Sequence, residues 1–422
     1  MEKNGEQFDL IVIGGGPAGM MAAGTAAGKG LAVLLLEKNK CLGQKLLLTG
    51  KGRCNLTNDK PLQDFISAFG KNGPFLYSTL HHFSNEDLKN FFETRSLKLK
   101  LERGGRYFPE DGNAQQVLRI VTQFLKEKRV KVLIGKKVVK VRKWRDNFVI
   151  NVFGKQKFQS RKLVIATGGK SYPETGSSGD GYLFARSLDH TIVTPDPALV
   201  PLISQNKDIR QLQGLTLKNV RLTLLTQPQK EVTHLKQVSL FGEMLFTHFG
   251  VSGPIVLALS RTVFRLLKSK MRVLASIDFK PALSLEVLDK RLQRELNAAG
   301  RKSVATILKN LLPQKIIPCF LRRLNLDSQK HAAEVSKETR CKIAKELKDF
   351  RFEIAATLPL ENGIITAGGV KLAEINPKTM ESKLCPGLYF AGEILDLDGP
   401  SGGYNLTVAF CTGFMAGENS SL

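Results

Sequence analysis

Hydrophobic spacing changes period several times along the chain. Phe8–Ile13 is a short apolar run, Pro17–Lys29 is alanine-rich with helical character, and Leu31–Leu36 is a second apolar run ending at Glu37. Strands this uniformly apolar are buried on both faces, as in a parallel sheet covered by helices, so the opening reads as a strand–helix–strand unit. A long loop, Gly43–Asn58, follows. Ser84-Asn85-Glu86-Asp87 is an N-cap signature that predicts a helix to about Arg95. Asn113 predicts a second cap, for a helix in which Val117, Ile120, Val121, Phe124 and Leu125 keep helical periodicity. From Val130 to Ala166 the period falls to two, which predicts a β-meander of about four short strands. It ends in Leu163-Val164-Ile165-Ala166-Thr167-Gly168-Gly169, an apolar strand running into glycines.

Residues 193–352 read as an insert. Its first half is strand-like (Leu215–Thr226, Lys236–Phe241, Arg272–Phe279) with a helix at Pro254–Leu267. Its second half is helical, with Ser284 as a cap and helices over Ser303–Leu312 and Ser336–Lys348. The last stretch returns to α/β character: Leu388–Glu393 is another buried strand and Gly402–Gly417 the helix after it. The expected division is therefore a discontinuous α/β domain (1–192 and 353–422), a β-rich insert (193–280) and a helical insert (281–352).

A length of 422 residues and 42% hydrophobic content fit two or three folded units. The 63 Lys+Arg against 38 Asp+Glu give a net charge of +25, which points to a polyanionic partner or a solubilising surface. That charge is uneven. Residues 126–170 hold 15 basic and 2 acidic side chains, net +13, and residues 261–350 hold 21 and 9, net +12. Residues 351–422 hold 4 and 8, net −4. Six scattered cysteines with no CxxC pair suit a reduced compartment, and no metal-ligand spacing is present. Leu10–Gly28 carries no charge, but its glycines and Pro17 break an apolar span, and the residues before it are net acidic, unlike a signal peptide. A cytoplasmic protein without a membrane segment is expected.

Gly14-Gly15-Gly16-Pro17-Ala18-Gly19 matches GxGxxG after a strand and at a helix start. The first glycine permits the tight turn, the second lets backbone approach a pyrophosphate, and the third allows close helix–strand contact. Unpaired N–H groups at the helix start near Pro17 and Ala18 then face the anion. Glu37, at the end of the next strand, is placed to accept from an adenosine ribose, which favours FAD or NAD over NADP. The expected fold is Rossmann-like.

A dinucleotide-binding opening, a meander running into Ala166-Thr167-Gly168-Gly169, and a late Ala391-Gly392-Glu393 strand end together resemble the glutathione-reductase-type flavoprotein fold. The chain is similar, over essentially its whole length, to the YhiN/BaiN-like family of FAD-dependent oxidoreductases. Five blocks carry the likeness: 14–23, 49–58, 166–182, 242–260 and 391–413. The resemblance implies FAD contacts from Gly14, Gly16 and Gly19 at the pyrophosphate, and from Glu37, Lys38 and the Val138 backbone at the adenosine. Thr167 and Gly168 would pass near the cofactor, with Gly392, Glu393 and Asp396 at the ribityl–phosphate region and Asn405 and Leu406 at the isoalloxazine. Lys45, on the basic loop after the first unit, joins the candidate cofactor set. Tyr404 would pack on the flavin or on the core.

In the loop, Arg53 is a candidate to orient an anionic or carbonyl group, Cys54 to donate a proton, and Asn55 to fix substrate or flavin. For a lone cysteine such as Cys54 a buried, inert thiol is the commoner reading, and for His248 in the fourth block a structural histidine. A second strand-linked GxGxxG is absent, so NAD(P)H would be a transient electron donor. The basic meander (126–170), interleaved with Trp144, Phe148, Phe153 and Phe158, and the basic insert (261–350) suit RNA. The resemblance implies reduction of uridine to dihydrouridine in ribosomal RNA. A small-molecule enone reductase or amine oxidase, and a non-catalytic flavin-bearing RNA-binding protein, are the alternatives.

Overall fold

Leu10–Ile13 and Val33–Leu36 are buried on both faces, and the computed structural model, which describes residues 6–227 and 238–421, pairs them in parallel. Burying each such Leu or Ile contributes about 1.5–3 kcal/mol, so the pair is a strong nucleus for a sheet. On its other side Glu6–Ile13 pairs in parallel with Lys157–Ile165. The full sheet runs Lys131–Leu133, Val33–Leu36, Glu6–Ile13, Lys157–Ile165, Asn147–Val152, Val138–Trp144. Lys157–Ile165 changes partner along its length. Its first residues pair antiparallel with Asn147–Val152, and Leu163–Ile165 pair in parallel with Leu388–Phe390.

The meander therefore has three antiparallel strands, not four. Lys131–Leu133 instead extends the parallel sheet beside Val33–Leu36, because the Glu37 amide bonds to the Leu133 carbonyl at 2.9 Å and holds the two strand ends together. The expected row of four stacking aromatics also separates by face. Phe148 and Phe158 are fully buried core residues, whereas Trp144 is 63% and Phe153 79% exposed.

Helix capping follows the sequence closely. Ser84 and Asp87 form a reciprocal capping box over Asn85–Glu93, and the Asn113 side chain accepts from the Gln115 amide at the start of Ala114–Glu127. The closing helix, Tyr404–Asn419, lies against the first helix, Pro17–Gly28. A side chain at Gly413 would come within 2.3 Å of the Ala18 carbonyl, so a glycine there permits the contact. The two ends of the chain thus share one core.

Two units are distinguished: residues up to Ala198 with those from Leu360 onward, and Leu199–Pro359. The second is built on a seven-stranded sheet ordered Phe350–Ile354, Arg272–Asp278, Thr216–Gln227, Val238–Thr247, Gly250–Ser252, Leu202–Ile203, Ala356–Thr357. Two of the residues expected in the strand from Lys236, 236 and 237, lie outside the described set. The insert was expected as separate β-rich and helical pieces, yet strand residues Leu222 and Val273 share one core with helical residues Leu288, Phe320 and Ile343. Pairing explains this: Phe350–Ile354, which follows the helices, aligns antiparallel with Arg272–Asp278, which precedes them. Among the described residues no helix is long and apolar enough to cross a membrane.

Candidate active site

The turn after the first strand closes as the sequence demands. Gly14 adopts φ +109°, and its amide bonds to the Leu36 carbonyl at 2.9 Å. Gly19 lies so near that a Cβ there would meet the Gly14 carbonyl oxygen at 1.9 Å. Gly16 is different: a Cβ would meet nothing within 4 Å, and it forms the helix N-cap without any side-chain cap. With Pro17 and the buried Ala18 in the first turn, this leaves the positive helix end facing an open cradle, the requirement for a pyrophosphate.

Glu37 is buried, and its carboxylate braces the turn: Oε2 accepts from the Gly15 amide at 2.7 Å and Oε1 from the Asn39 amide at 2.8 Å. Each oxygen retains acceptor capacity for a ribose hydroxyl. The Lys38 side chain, next to Glu37, is paired within the protein. Its ammonium donates to Asp180 Oδ2 at 2.8 Å and to Ser178. Burial pushes the Asp180 carboxyl up, but the Lys38 hydrogen bond and charge outweigh this and hold it below its ordinary value. Val138 is buried at the start of the meander's edge strand.

Lys45 and Glu393 form an ion pair at 2.8 Å. Lys45 also donates to Ser171 Oγ at 2.6 Å, while Glu393 Oε1 accepts from Ser171 Oγ and the Thr366 amide, both at 2.9 Å. This network joins the first loop, the glycine-rich 166–182 block and the end of the closing strand. Lys45 and Glu393 are legible as candidates in the sequence, whereas the hydroxyls of Ser171 and Thr366 carry no pattern of their own. Gly392 donates to Thr412 Oγ1 at 2.9 Å, and the Asp396 carbonyl accepts from Asn72 at 2.6 Å.

The 49–58 loop turns tightly, with positive φ at Gly50, Lys51, Gly52 and Cys54. It is clasped to the start of the closing helix: Asn58 donates to the Gly402 carbonyl at 2.9 Å, and the Thr57 and Thr407 hydroxyls bond at 2.8 Å. Two blocks about 350 residues apart in sequence are thereby brought together. Within the loop, Arg53 stacks 4.2 Å from the Phe108 ring centroid and pairs with Glu102, whose carboxyl it draws below its ordinary value. Cys54 is fully buried, and desolvation pushes its thiol up to about 12. It has no exposed surface to offer a substrate, contrary to the proton-donor expectation. Asn405 lies in the first turn of the closing helix. Its side chain bonds to the Gly399 amide and carbonyl and to the Pro400 carbonyl, locking that loop. Leu406 packs against the core, and Tyr404 stands 4.6 Å from the Phe65 ring. His248 is exposed in the second unit, in the turn between two strands.

Among the described residues, the buried polar atoms without a hydrogen-bond partner include Asn55 Oδ1, Thr167 Oγ1 and Tyr182 Oη. An unpaired buried polar atom costs about 1–3 kcal/mol, so a ligand that supplies the partner is favoured. Gly168, next to Thr167, adopts φ +73°. Burial first, then the charges of Glu393 and Asp396, keep the Tyr182 phenol protonated far above its ordinary value. Tyr182 lies within the 166–182 block but bears no motif position that singles it out. The open Gly16 cradle, the Glu37 acceptor and these orphaned donors and acceptors fit a dinucleotide that continues into a polar ring system, as FAD does.

Such a fold and site define a flavoprotein oxidoreductase. The model for the HI0933-like protein Rossmann domain matches residues 8–419, and the chain belongs to that family of FAD-dependent oxidoreductases. It is 32% identical over 410 residues to the 3-dehydro-bile acid delta(4,6)-reductase of Clostridium scindens, covering 96% of this chain and 97% of that protein. It is 29% identical over 416 residues to the ribosomal RNA dihydrouridine synthase of Escherichia coli strain K12, covering 98% of each. Among solved structures, the open conformation of a flavocytochrome c3 fumarate reductase aligns with 99% of this chain and 79% of its own, at 16% identity and a TM-score of 0.52.

Proposed function

We propose that the protein reduces uridine to dihydrouridine in ribosomal RNA, with NAD(P)H as the transient electron source. The reaction adds hydride and a proton across the uracil C5=C6 bond, which is conjugated to the C4 carbonyl, and releases NAD(P)⁺. The observation that carries the RNA reading is charge: within 126–170, Lys126, Lys128, Arg129, Lys131, Lys137, Lys140, Arg142, Arg145, Lys155, Arg161 and Lys170 are all exposed. A surface of that kind neutralises phosphates, and its release of counterions makes binding salt-dependent. The full-length likeness to a ribosomal RNA dihydrouridine synthase supports it.

FAD, when bound, supplies the two-electron carrier between NAD(P)H and the ring. The chain's own residues do the placing. The Gly14–Gly19 turn and helix start take the pyrophosphate, Glu37 the ribose, and the Lys45–Glu393 pair with Ser171 fixes the far side of the cradle. Thr167 Oγ1 and Asn55 Oδ1 offer the unpaired groups that orient the ring and the base. Arg53, stacked on Phe108, holds the edge of the loop, and Cys54 anchors it in the core. A base in folded RNA has to be unstacked to reach such a site.

Reduction of a small conjugated ketone is the second reading, favoured by the 32% identity to a bile acid reductase. Mass mapping of ribosomal RNA from a strain lacking the gene separates the two. Loss of one dihydrouridine is expected, and an unchanged modification profile would leave only the small-molecule reading.

A further inference from the structure

Register on the meander collects one face. Opposed residues of an antiparallel pair share a side of the sheet. Lys140 stands opposite Asn151, Arg142 opposite Val149 and Trp144 opposite Asn147, and in turn Val149 opposes Gln159 and Asn151 opposes Lys157. One face of this three-stranded sheet thus carries Lys140, Arg142, Trp144, Asn147, Asn151, Lys157 and Gln159 around a central, buried Val149. The other face carries Val141, Phe148, Ile150 and Phe158, all buried.

Lysines along an edge strand alone would be explained as protection against strand pairing. Trp144 is not explained that way. It sits on the edge strand beside the hairpin tip, 63% exposed, where an apolar ring invites association. Phe153, 79% exposed, occupies the turn at the opposite end, its amide bonded to the Lys137 carbonyl at 2.8 Å. The strand between them spans about 20 Å at roughly 3.3 Å per residue. Among the described residues no carboxylate pairs with Lys140, Arg142 or Arg145.

We infer that this face is a docking platform for single-stranded RNA, with a base stacked on Trp144 and the phosphates tracked by Lys140, Arg142 and Arg145 toward Phe153. This rests on the RNA reading above and assigns the surface that grips the strand outside the FAD cradle. Charge complementarity argues for a polyanion, the flanking amides of Asn147 and Gln159 for base edges, and the exposed indole for a base with a free face. Duplex RNA keeps its bases stacked inside and has none to offer. A basic platform with an aromatic at each end is how unpaired strands are held without strict sequence readout.

Trp144 is the only tryptophan in the chain, so its emission reports this face alone. The FAD-loaded protein is titrated with a 12-nucleotide single-stranded RNA of mixed sequence, the same sequence as duplex, inorganic polyphosphate, and vesicles containing anionic lipid. Affinity for a dye-labelled copy of the RNA is measured in parallel by anisotropy. Single-stranded RNA is expected to quench Trp144 saturably, with the other three probes quenching it weakly or not at all. Trp144→Ala should weaken the labelled RNA about tenfold with unchanged flavin content, and Trp144→Phe should recover most of that loss. Lys140→Gln with Arg142→Gln should lower the slope of log affinity against log salt by about 1.4. Tight RNA binding with unchanged Trp144 emission overturns the platform while leaving the RNA reading intact. Equal quenching by polyphosphate, duplex or vesicles overturns the stacking. No RNA binding even at low salt overturns both.

Discussion

Replacing Gly16 with alanine separates folding from cofactor binding. Gly16 has φ −82° and ψ −177°, a region open to every residue, and a Cβ there meets no atom within 4 Å. Losing glycine at an N-cap costs about 0.5–1 kcal/mol, and the stiffer unfolded chain returns about 0.4–1 kcal/mol. The flavin-free protein should therefore change stability by less than about 0.5 kcal/mol. The added methyl instead occupies the side from which a pyrophosphate reaches the first-turn amides, and FAD affinity should fall at least about tenfold, or 1.4 kcal/mol. Gly19→Ala is the contrast. Its Cβ would lie 1.9 Å from the Gly14 carbonyl oxygen, a backbone atom that cannot swing aside, so folding itself should lose about 1–3 kcal/mol. Urea unfolding of the flavin-free proteins measures the first quantity and quenching of flavin fluorescence on titration the second. Normal FAD affinity in Gly16→Ala would refute the placement of the pyrophosphate.

Glu393→Ala removes the acceptor for Lys45, Ser171 and the Thr366 amide, and should cost roughly 2–3 kcal/mol together with weaker flavin retention. Unchanged melting temperature and flavin-to-protein ratio would contradict that network. The Cys54 thiol is raised by burial from 9.0 to about 12, so its contribution to stability is complete below pH 9 and declines as pH climbs toward about 12. Between those limits it accounts for a fall of about 1.4 kcal/mol per pH unit, which Cys54→Ala should remove. Urea midpoints between pH 8.5 and 10.5 give the slope; parallel slopes in the two proteins would show that the thiol is not shielded. In native protein at pH 8 a thiol reagent should label exposed Cys41 and spare Cys54. His248→Ala, in an exposed turn, should leave stability within about 0.5 kcal/mol, so any loss in kcat/KM reports contact with substrate rather than unfolding.

Backbone requirements were the legible part of this chain. The Gly14–Gly19 turn, the Ser84, Asn113 and Ser284 caps and the apolar parallel strands each satisfy a constraint that only a few residue types can meet. Partner choice among long polar side chains was not legible. Lys38 selects Asp180, 142 residues away, and Asn405 selects its own loop, because spacing specifies a residue's neighbourhood and not which of several acceptors it reaches. Face assignment in the meander failed for a related reason. A register shift between Val138 and Lys140 changes the alternation, and pattern alone does not say that Phe148 and Phe158 turn inward while Trp144 turns out. The orphaned atoms of Asn55, Thr167 and Tyr182 are visible only once the surroundings that fail to pair them are in place.

The most direct test is reconstitution. Purified FAD-loaded protein is mixed with NADH or NADPH and ribosomal RNA from cells lacking the gene, and the digested nucleosides are weighed. One uridine is expected to gain two hydrogens, at a rate that falls as salt rises. Flavin that is bound and reduced by the nicotinamide, yet leaves every uridine unaltered at low salt, would contradict it.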